Sequence, residues 1–265
     1  MTKAWLRRAA TRAARPRNPV GPGLLLLLAG VLLCGAAAAP APPAKDEAIA
    51  QGLAEMVRDA RTVISNNQDL INDPKIGDKH LTGQKVLADT IALYQKNTGS
   101  DPDAVDKTSR EGRLLHAMMS AIVAVMDDNQ ETINEKGTGF KGFIPAVFGR
   151  LVSESFNGLA EGEAVMKITA PPDLVRNRKA RPDAWETEVI DTKLLKPDWP
   201  KGQPYWALVS INGRPAYRVA VPEYYRQSCL TCHGTPKGEL DVTGYPKEGR
   251  KLGDLGGVVS IVLFR

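Results

Sequence analysis

The stretch Cys229-Leu230-Thr231-Cys232-His233, followed by Gly234, constrains this chain more than any other. Two thiols three residues apart with a histidine directly after them form the attachment signature of a c-type haem. Each thiol adds across one vinyl group, and the histidine then lies under the porphyrin, where an imidazole nitrogen takes an axial position on the iron. The two competing readings are poorer. A structural zinc site wants four ligands, and no second Cys/His pair is present. A thiol–disulfide oxidoreductase carries Cys-x-x-Cys near a βαβ pattern, and none precedes this one. The chain has only 3 Cys and 3 His in 265 residues, so the motif stands out against its background. A fold built around it holds one covalently attached haem c, with Cys229 and Cys232 as attachments and His233 as iron ligand.

Attachment of such a haem takes place outside the cytoplasmic membrane, and the N-terminus agrees. Residues 1–38 read as a signal peptide: a basic start without acidic residues, an apolar run over Leu24 to Leu33, and Ala36-Ala37-Ala38 as cleavage site. The apolar run is short for a spanning helix, which needs about 20 residues. Arg7-Arg8 lacks the residues that follow a twin-arginine signal. Cys34 is preceded by Leu33 where a lipoprotein signal wants a small residue. The expectation is a periplasmic protein free of the membrane once its signal is removed. Its two remaining thiols would both be consumed by the haem.

Residues 1–38 hold six of the 35 Lys and Arg and no Asp or Glu, leaving 29 basic against 30 acidic residues. The high pI of the whole chain is therefore no sign of nucleic-acid binding.

Residues 39–45 form an Ala/Pro linker. Beyond it lies an internal repeat. Asn67, Gln68, Ile71, Asn72, Gly77 and Lys79 recur as Asn129, Gln130, Ile133, Asn134, Gly139 and Lys141, at a constant offset of 62. A long helical pattern precedes each copy (Ile49 to Ile64, Leu115 to Met126) and a shorter one follows (Leu81 to Gln95, Phe143 to Phe156). Residues 46–160 thus read as two helix–loop–helix units in an antiparallel bundle. Their Asn/Gly-rich loops read as caps and left-handed turns.

From 161 to 265 the period changes to 2. Ala164 to Thr169 reads as a strand, and Pro182 to Lys193 as a helix led by Asp183. Tyr205 to Ile211 and Pro215 to Val221 flank Asn212-Gly213, a strong hairpin signal. Gly257 to Phe264 is a last buried strand. Antiparallel strands with interleaved helices make this part α+β. No output module such as a kinase or cyclase is expected.

The stretch from Phe143 to Phe264 resembles the PAS-like c-type haem sensor domains on the periplasmic side of bacterial chemoreceptors and histidine kinases, and their stand-alone secreted relatives. The resemblance rests on Arg176-Asn177, on Arg181-Pro182-Asp183-Ala184-Trp185-Glu186, on the haem motif with Gly234, and on Gly253-Asp254-Leu255-Gly256-Gly257. It implies a PAS-like antiparallel sheet holding one haem, helices N-terminal to it, and His233 as proximal ligand. Some members take a sixth ligand from a cysteine on the helix before the sheet. Here the corresponding stretch, Phe143 to Phe148, has none.

Candidate pocket residues are Arg176, Trp185 and Tyr225. Arg176, with Arg178 and Arg181, could pair with propionates or form a solvated face. Trp185 and Trp206 could pack on the haem or in the core. Tyr224 and Tyr225 could donate hydroxyls or simply pack. His116 shares a polar stripe with Arg113, Ser120 and Asp127 and is expected to face solvent. Met56, Met118, Met119 and Met126 read as bundle core. No nucleophile–base pair or phosphate loop argues for an enzyme. Two roles remain: a sensor of redox state or a small gas, reporting to a partner, and a single-electron carrier serving a redox protein. With no placed sixth ligand, the ferrous iron is expected to be five-coordinate or weakly capped.

Overall fold

The computed structural model describes residues 41–265. The expected signal peptide, Cys34 and the first residues of the linker lie outside the described residues. Helix α1 (Ala44–Asn66) begins inside the expected linker and buries Ile49, Leu53, Met56, Val57, Ala60 and Ile64 along one stripe. After α2 (Gln68–Asn72), α3 (Gly83–Thr98) starts at Thr82, whose hydroxyl accepts the Lys85 amide at 3.2 Å. In the second copy, α4 (Arg110–Asp128) is capped by Ser109, and α5 (Gln130–Asn134) and α6 (Pro145–Leu159) follow. The short α2 and α5 occupy what reads as loop in the sequence. Ile71 and Ile133, both fully buried, pin these single turns to the bundle.

The repeat is a structural one. Asn67 and Asn129 end α1 and α4 with φ/ψ of −102°/10° and −107°/10°. Each side-chain amide donates to the carbonyl four residues earlier, on Val63 at 2.8 Å and Val125 at 2.7 Å. These asparagines cap, but not in the left-handed conformation. That conformation falls at His80 (φ 54°) and its copy Gly142 (φ 71°). The two loops also bind each other reciprocally. The Lys79 amide donates to Asn134 Oδ1 at 2.9 Å, and the Lys141 amide to Asn72 Oδ1 at 3.2 Å. Gln68 reaches the Phe143 carbonyl at 3.2 Å, and Gln130 the Leu81 carbonyl at 2.9 Å. The halves of the bundle are therefore related by a pseudo-two-fold axis between the loops.

A left-handed backbone costs a side chain with a Cβ about 1–2 kcal/mol, partly offset by the extra entropy glycine loses on folding. His80→Gly is accordingly expected to stabilise the protein by about 0.5 kcal/mol. Its His80 imidazole contacts only the Asp78 carboxylate, at the surface. A lower denaturation midpoint for the variant would contradict the equivalence of the two positions.

Four antiparallel strands follow, in the order β1-β4-β3-β2: β1 (Ala164–Thr169), β2 (Tyr205–Ile211), β3 (Arg214–Tyr224) and β4 (Leu255–Phe264). Asn212 (φ 51°) and Gly213 (φ 78°) turn the β2–β3 hairpin with both central residues at positive φ, which matches the twist of paired strands. Between β1 and β2, α7 (Ala184–Val189) starts with a capping box. The Glu186 amide donates to Asp183 Oδ1 at 2.9 Å and the Asp183 amide to Glu186 Oε2 at 2.8 Å. A π-helical turn over Ile190–Leu194 continues it. The architecture is α+β, as the change of period indicates.

Ala41–Arg265 form one compact unit. The helical core residues are continuous with Met166, Tyr217, Val219, Val259, Ile261 and Leu263 from the sheet. A second, smaller core on the other side of the sheet holds Val189, Ile190, Leu194 and Val258 under Trp185, Trp199 and Tyr205. The long connection from β3 to β4 contains the Cys-x-x-Cys-His motif, on a short helix α8 (Leu230–His233). The β3–β4 ladder shifts register between Glu223 and Tyr224, just before that connection, which redirects the chain out of the sheet.

Candidate haem site

His233 is held by a half-buried ionic network. Its Nδ1 lies 2.8 Å from Glu248 Oε2. Arg176 grips the same carboxylate with Nε at 2.8 Å and Nη2 at 3.1 Å, and Asp241 with Nη1 at 2.5 Å. The Arg176 Nη2 also donates to the Cys232 carbonyl at 3.0 Å. Burial pushes the Glu248 carboxyl up, but hydrogen bonds from Arg176 and His233 outweigh it and hold it below its ordinary range. Glu248 is thus an anion that accepts from Nδ1–H. The imidazole is fixed in the tautomer whose Nε2 lone pair is free, the form an axial ligand needs.

The ring is fixed from the side as well. Tyr225 packs on His233 with centroids 5.0 Å apart and planes at 32°. Tyr225 is itself set by the Gly253–Gly257 segment. Its amide donates to the Asp254 carbonyl at 2.9 Å, and its carbonyl accepts from the Gly253 amide at 2.9 Å. A Cβ at Gly256 would come within 2.8–2.9 Å of the Tyr225 ring, so only glycine lets the ring lie against β4. Gly234 is required in the same way, because a Cβ there would meet the Leu230 carbonyl oxygen at 2.5 Å. Burial, then the nearby Glu248, pushes the Tyr225 hydroxyl up to about 12.

Cys229 and Cys232 are both free and half-buried. Burial, then the Asp241 carboxylate, pushes the Cys232 thiol up. Among the described residues no group of three or more His, Cys, Asp or Glu is arranged to hold a metal ion. The residues fit a haem in one further way. Leu240, Val242, Tyr245 and Leu252 are 47–66% exposed on the loop after the motif, and this loop bonds back to it through Gly249 and Arg250 to the Gly234 and His233 carbonyls. Apolar surface of this size favours being covered, at roughly 25 cal/mol per Å². The motif also docks on α1. Arg226 donates to Thr62 Oγ1 at 3.0 Å, and the adjacent Arg61 pairs with Glu223 at 2.5 Å.

A family model matches residues 45–263. The chain belongs to the Tll0287-like family. This is the PAS-like c-type haem family that the motifs resemble, and its members are haem-binding domains. The match begins at Lys45 and therefore takes in the helical repeats, well before the Phe143 at which the resemblance in the sequence starts. No curated protein and no solved structure matches the chain.

The sequence candidates separate. Cys229, Cys232, His233, Arg176 and Tyr225 come together. Trp185 does not join them: it lies in the smaller core beside Tyr205, with the Arg218 guanidinium 4.4 Å over its ring. Arg176 reaches the motif, but its donors are spent on Glu248, Asp241 and Cys232. Arg178 and Arg181 are exposed and form no ion pair among the described residues. Trp206 stacks on Tyr217 in the main core, and the Tyr224 hydroxyl accepts the Gly202 amide. Contrary to expectation, His116 is half-buried, and its Nε2 is enclosed without a hydrogen-bond partner beside Gln84 and Met119. Packing of α3 against α4 closes over a side of the helix that reads as polar. Sequence reasoning missed Glu248 and Asp241. The only signal for them is the general need of an axial imidazole for an acceptor on its far nitrogen.

Proposed function

We propose that this protein is a secreted, periplasmic c-type haem protein that senses redox state or a small gas and reports it to a partner. One haem would be held by thioethers to Cys229 and Cys232 and by the Nε2 of His233. The bound iron would supply an axial position for a diatomic ligand and a one-electron couple. The protein's part is to fix the proximal imidazole. Glu248 keeps its proton on Nδ1 and raises its basicity, Arg176 keeps Glu248 ionised, and Tyr225 prevents the ring from turning.

One observation carries the choice of role: no second strong iron ligand accompanies the motif among the described residues. His80 is an exposed loop residue bonded to Asp78. His116 sits between α3 and α4. Met56, Met118, Met119, Met126 and Met166 are all core residues, 0–4% exposed. An electron carrier wants a six-coordinate iron, whereas a gas sensor wants an open or labile site.

The test is the optical spectrum of the purified mature protein, oxidised and reduced, with and without carbon monoxide. The ferrous protein is expected to bind carbon monoxide readily at neutral pH, and His80→Ala and His116→Ala to leave the spectrum unchanged. A low-spin ferrous haem indifferent to carbon monoxide would refute the sensing role and favour electron transfer.

A further inference from the structure

Charge is unevenly divided along the chain. Residues 41–160 carry 13 basic and 17 acidic residues, and residues 161–265 carry 16 basic and 13 acidic, a net −4 against +3. Around the motif the excess is local. Lys201, Arg226, Lys237 and Lys251 are exposed, and no carboxylate lies within 4 Å of their charged atoms among the described residues. All four adjoin the motif segment. Arg226 precedes Cys229 by three residues. Lys201 donates to the Gly253 carbonyl at 2.9 Å, and Gly253 bonds to Tyr225. The Lys237 stem lies over Gly249, whose amide bonds to Gly234. Lys251 flanks the exposed Leu252.

The acidic residues of this segment cancel only part of that charge. Glu239 pairs with Lys247 at 2.7 Å, and Asp241 and Glu248 pair with Arg176. Asp173, from the neighbouring loop, pairs with Arg250 at 2.7 Å. Asp254 accepts the Lys251 amide and keeps its charge, and Asp241 and Glu248 share one guanidinium, so the four cations keep a net charge of about +2. What remains is a net positive rim beside the thiols and the apolar loop that the haem would cover, on a molecule whose helical part is anionic. Such a distribution orients an approaching partner before contact.

We propose that this face docks an acidic one-electron redox protein, steered by Lys201, Arg226, Lys237 and Lys251. The proposal rests on the haem reading above, in its redox-sensing form: one electron would pass between the partner's own cofactor and the haem iron, with no bond made or broken. An acidic protein fits better than an anionic membrane. Glu239 and Asp173 stay 53% and 67% exposed on the same loops, which a patterned protein surface accommodates and a uniformly anionic sheet repels.

A carboxylate-terminated monolayer on gold serves as probe, with adsorbed mass and voltammetric current read together on the mature holoprotein. Wild type is expected to adsorb and exchange electrons at low salt and to desorb above about 0.5 M salt, where screening falls below 5 Å. The variant Lys201→Glu/Lys237→Glu/Lys251→Glu is expected to lose about tenfold in electroactive coverage. Reversal of exposed lysines on the helical half, Lys75→Glu/Lys96→Glu/Lys107→Glu, should change it less than about twofold. Equal coverage for wild type and the motif-side variant, or equal exchange on an amine-terminated monolayer, would overturn the proposal. So would tight binding to phosphatidylglycerol vesicles, which would point to a membrane. Adsorbed mass with the expected variant pattern but no current would uphold the docking face and count against the haem reading alone.

Discussion

Haem is expected to stay on this polypeptide through denaturation and acidified organic solvent, after secretion alongside a cytochrome c maturation system. Cys229→Ala/Cys232→Ala should lose it completely under the same treatment. The contrast is large because a thioether is a covalent bond, whereas one axial imidazole and apolar contacts hold a haem only by equilibrium. The double variant is expected to fold. Both thiols are half-buried, and the contacts that place the motif belong to backbone atoms. Arg176 holds the Cys232 carbonyl, and the Gly249 and Arg250 amides hold the Gly234 and His233 carbonyls. Circular dichroism of the apo variant checks this independently of the haem. Wild-type protein that gives up its haem to acidified solvent would remove the covalent reading and leave only a haem-binding fold.

The parts of this structure that could be read from sequence are those whose cause is local. Alternation set β1 at Ala164–Thr169 and β2 at Tyr205–Ile211, and Asn212-Gly213 set the hairpin between them. Asp183 announced α7 because a cap and its Glu186 partner are three residues apart. The six identities at an offset of 62 revealed the repeat, yet not its main consequence. That Asn72 caps the loop of Lys141 and Asn134 that of Lys79 depends on how the two copies meet, and no period within either copy encodes it. The same limit applies at the site. Cys229, Cys232 and His233 are contiguous and were plain to read. Glu248 is one acid among several after the motif, and only folding back of the loop through Arg250 and Gly249 brings it to Nδ1. Trp185, which reads as packing on the haem or in the core, lies against the smaller core. Its neighbours Asp183 and Glu186 bind Arg218 and Lys167 of the sheet, so the segment serves the packing of α7.

Asp59 provides the clearest link between pH and stability. It lies on α1 and is 1% exposed, with Oδ1 accepting from the Asn97 amide at 2.8 Å and Oδ2 enclosed without a partner. Burial raises its carboxyl from 3.8 to about 6, and Glu55 adds to this, while Asn97, Arg58 and Arg226 oppose it. The native state therefore favours the protonated form. Below about pH 3 the group is neutral in both states and costs nothing. Between about pH 3 and 6 the unfolded chain ionises first and stability falls. Above pH 6 the penalty levels off at about 3 kcal/mol, at 1.36 kcal/mol per unit. Asp59→Asn removes the charge and keeps an oxygen for Asn97, but it places an NH2 group where Oδ2 now has no partner. Its gain is thus expected to be smaller, about 2 kcal/mol at pH 8, and to vanish near pH 3. Denaturant unfolding of both proteins at pH 4, 6 and 8 measures it. A difference independent of pH would mean that Asp59 is ionised as readily in the fold as in the open chain.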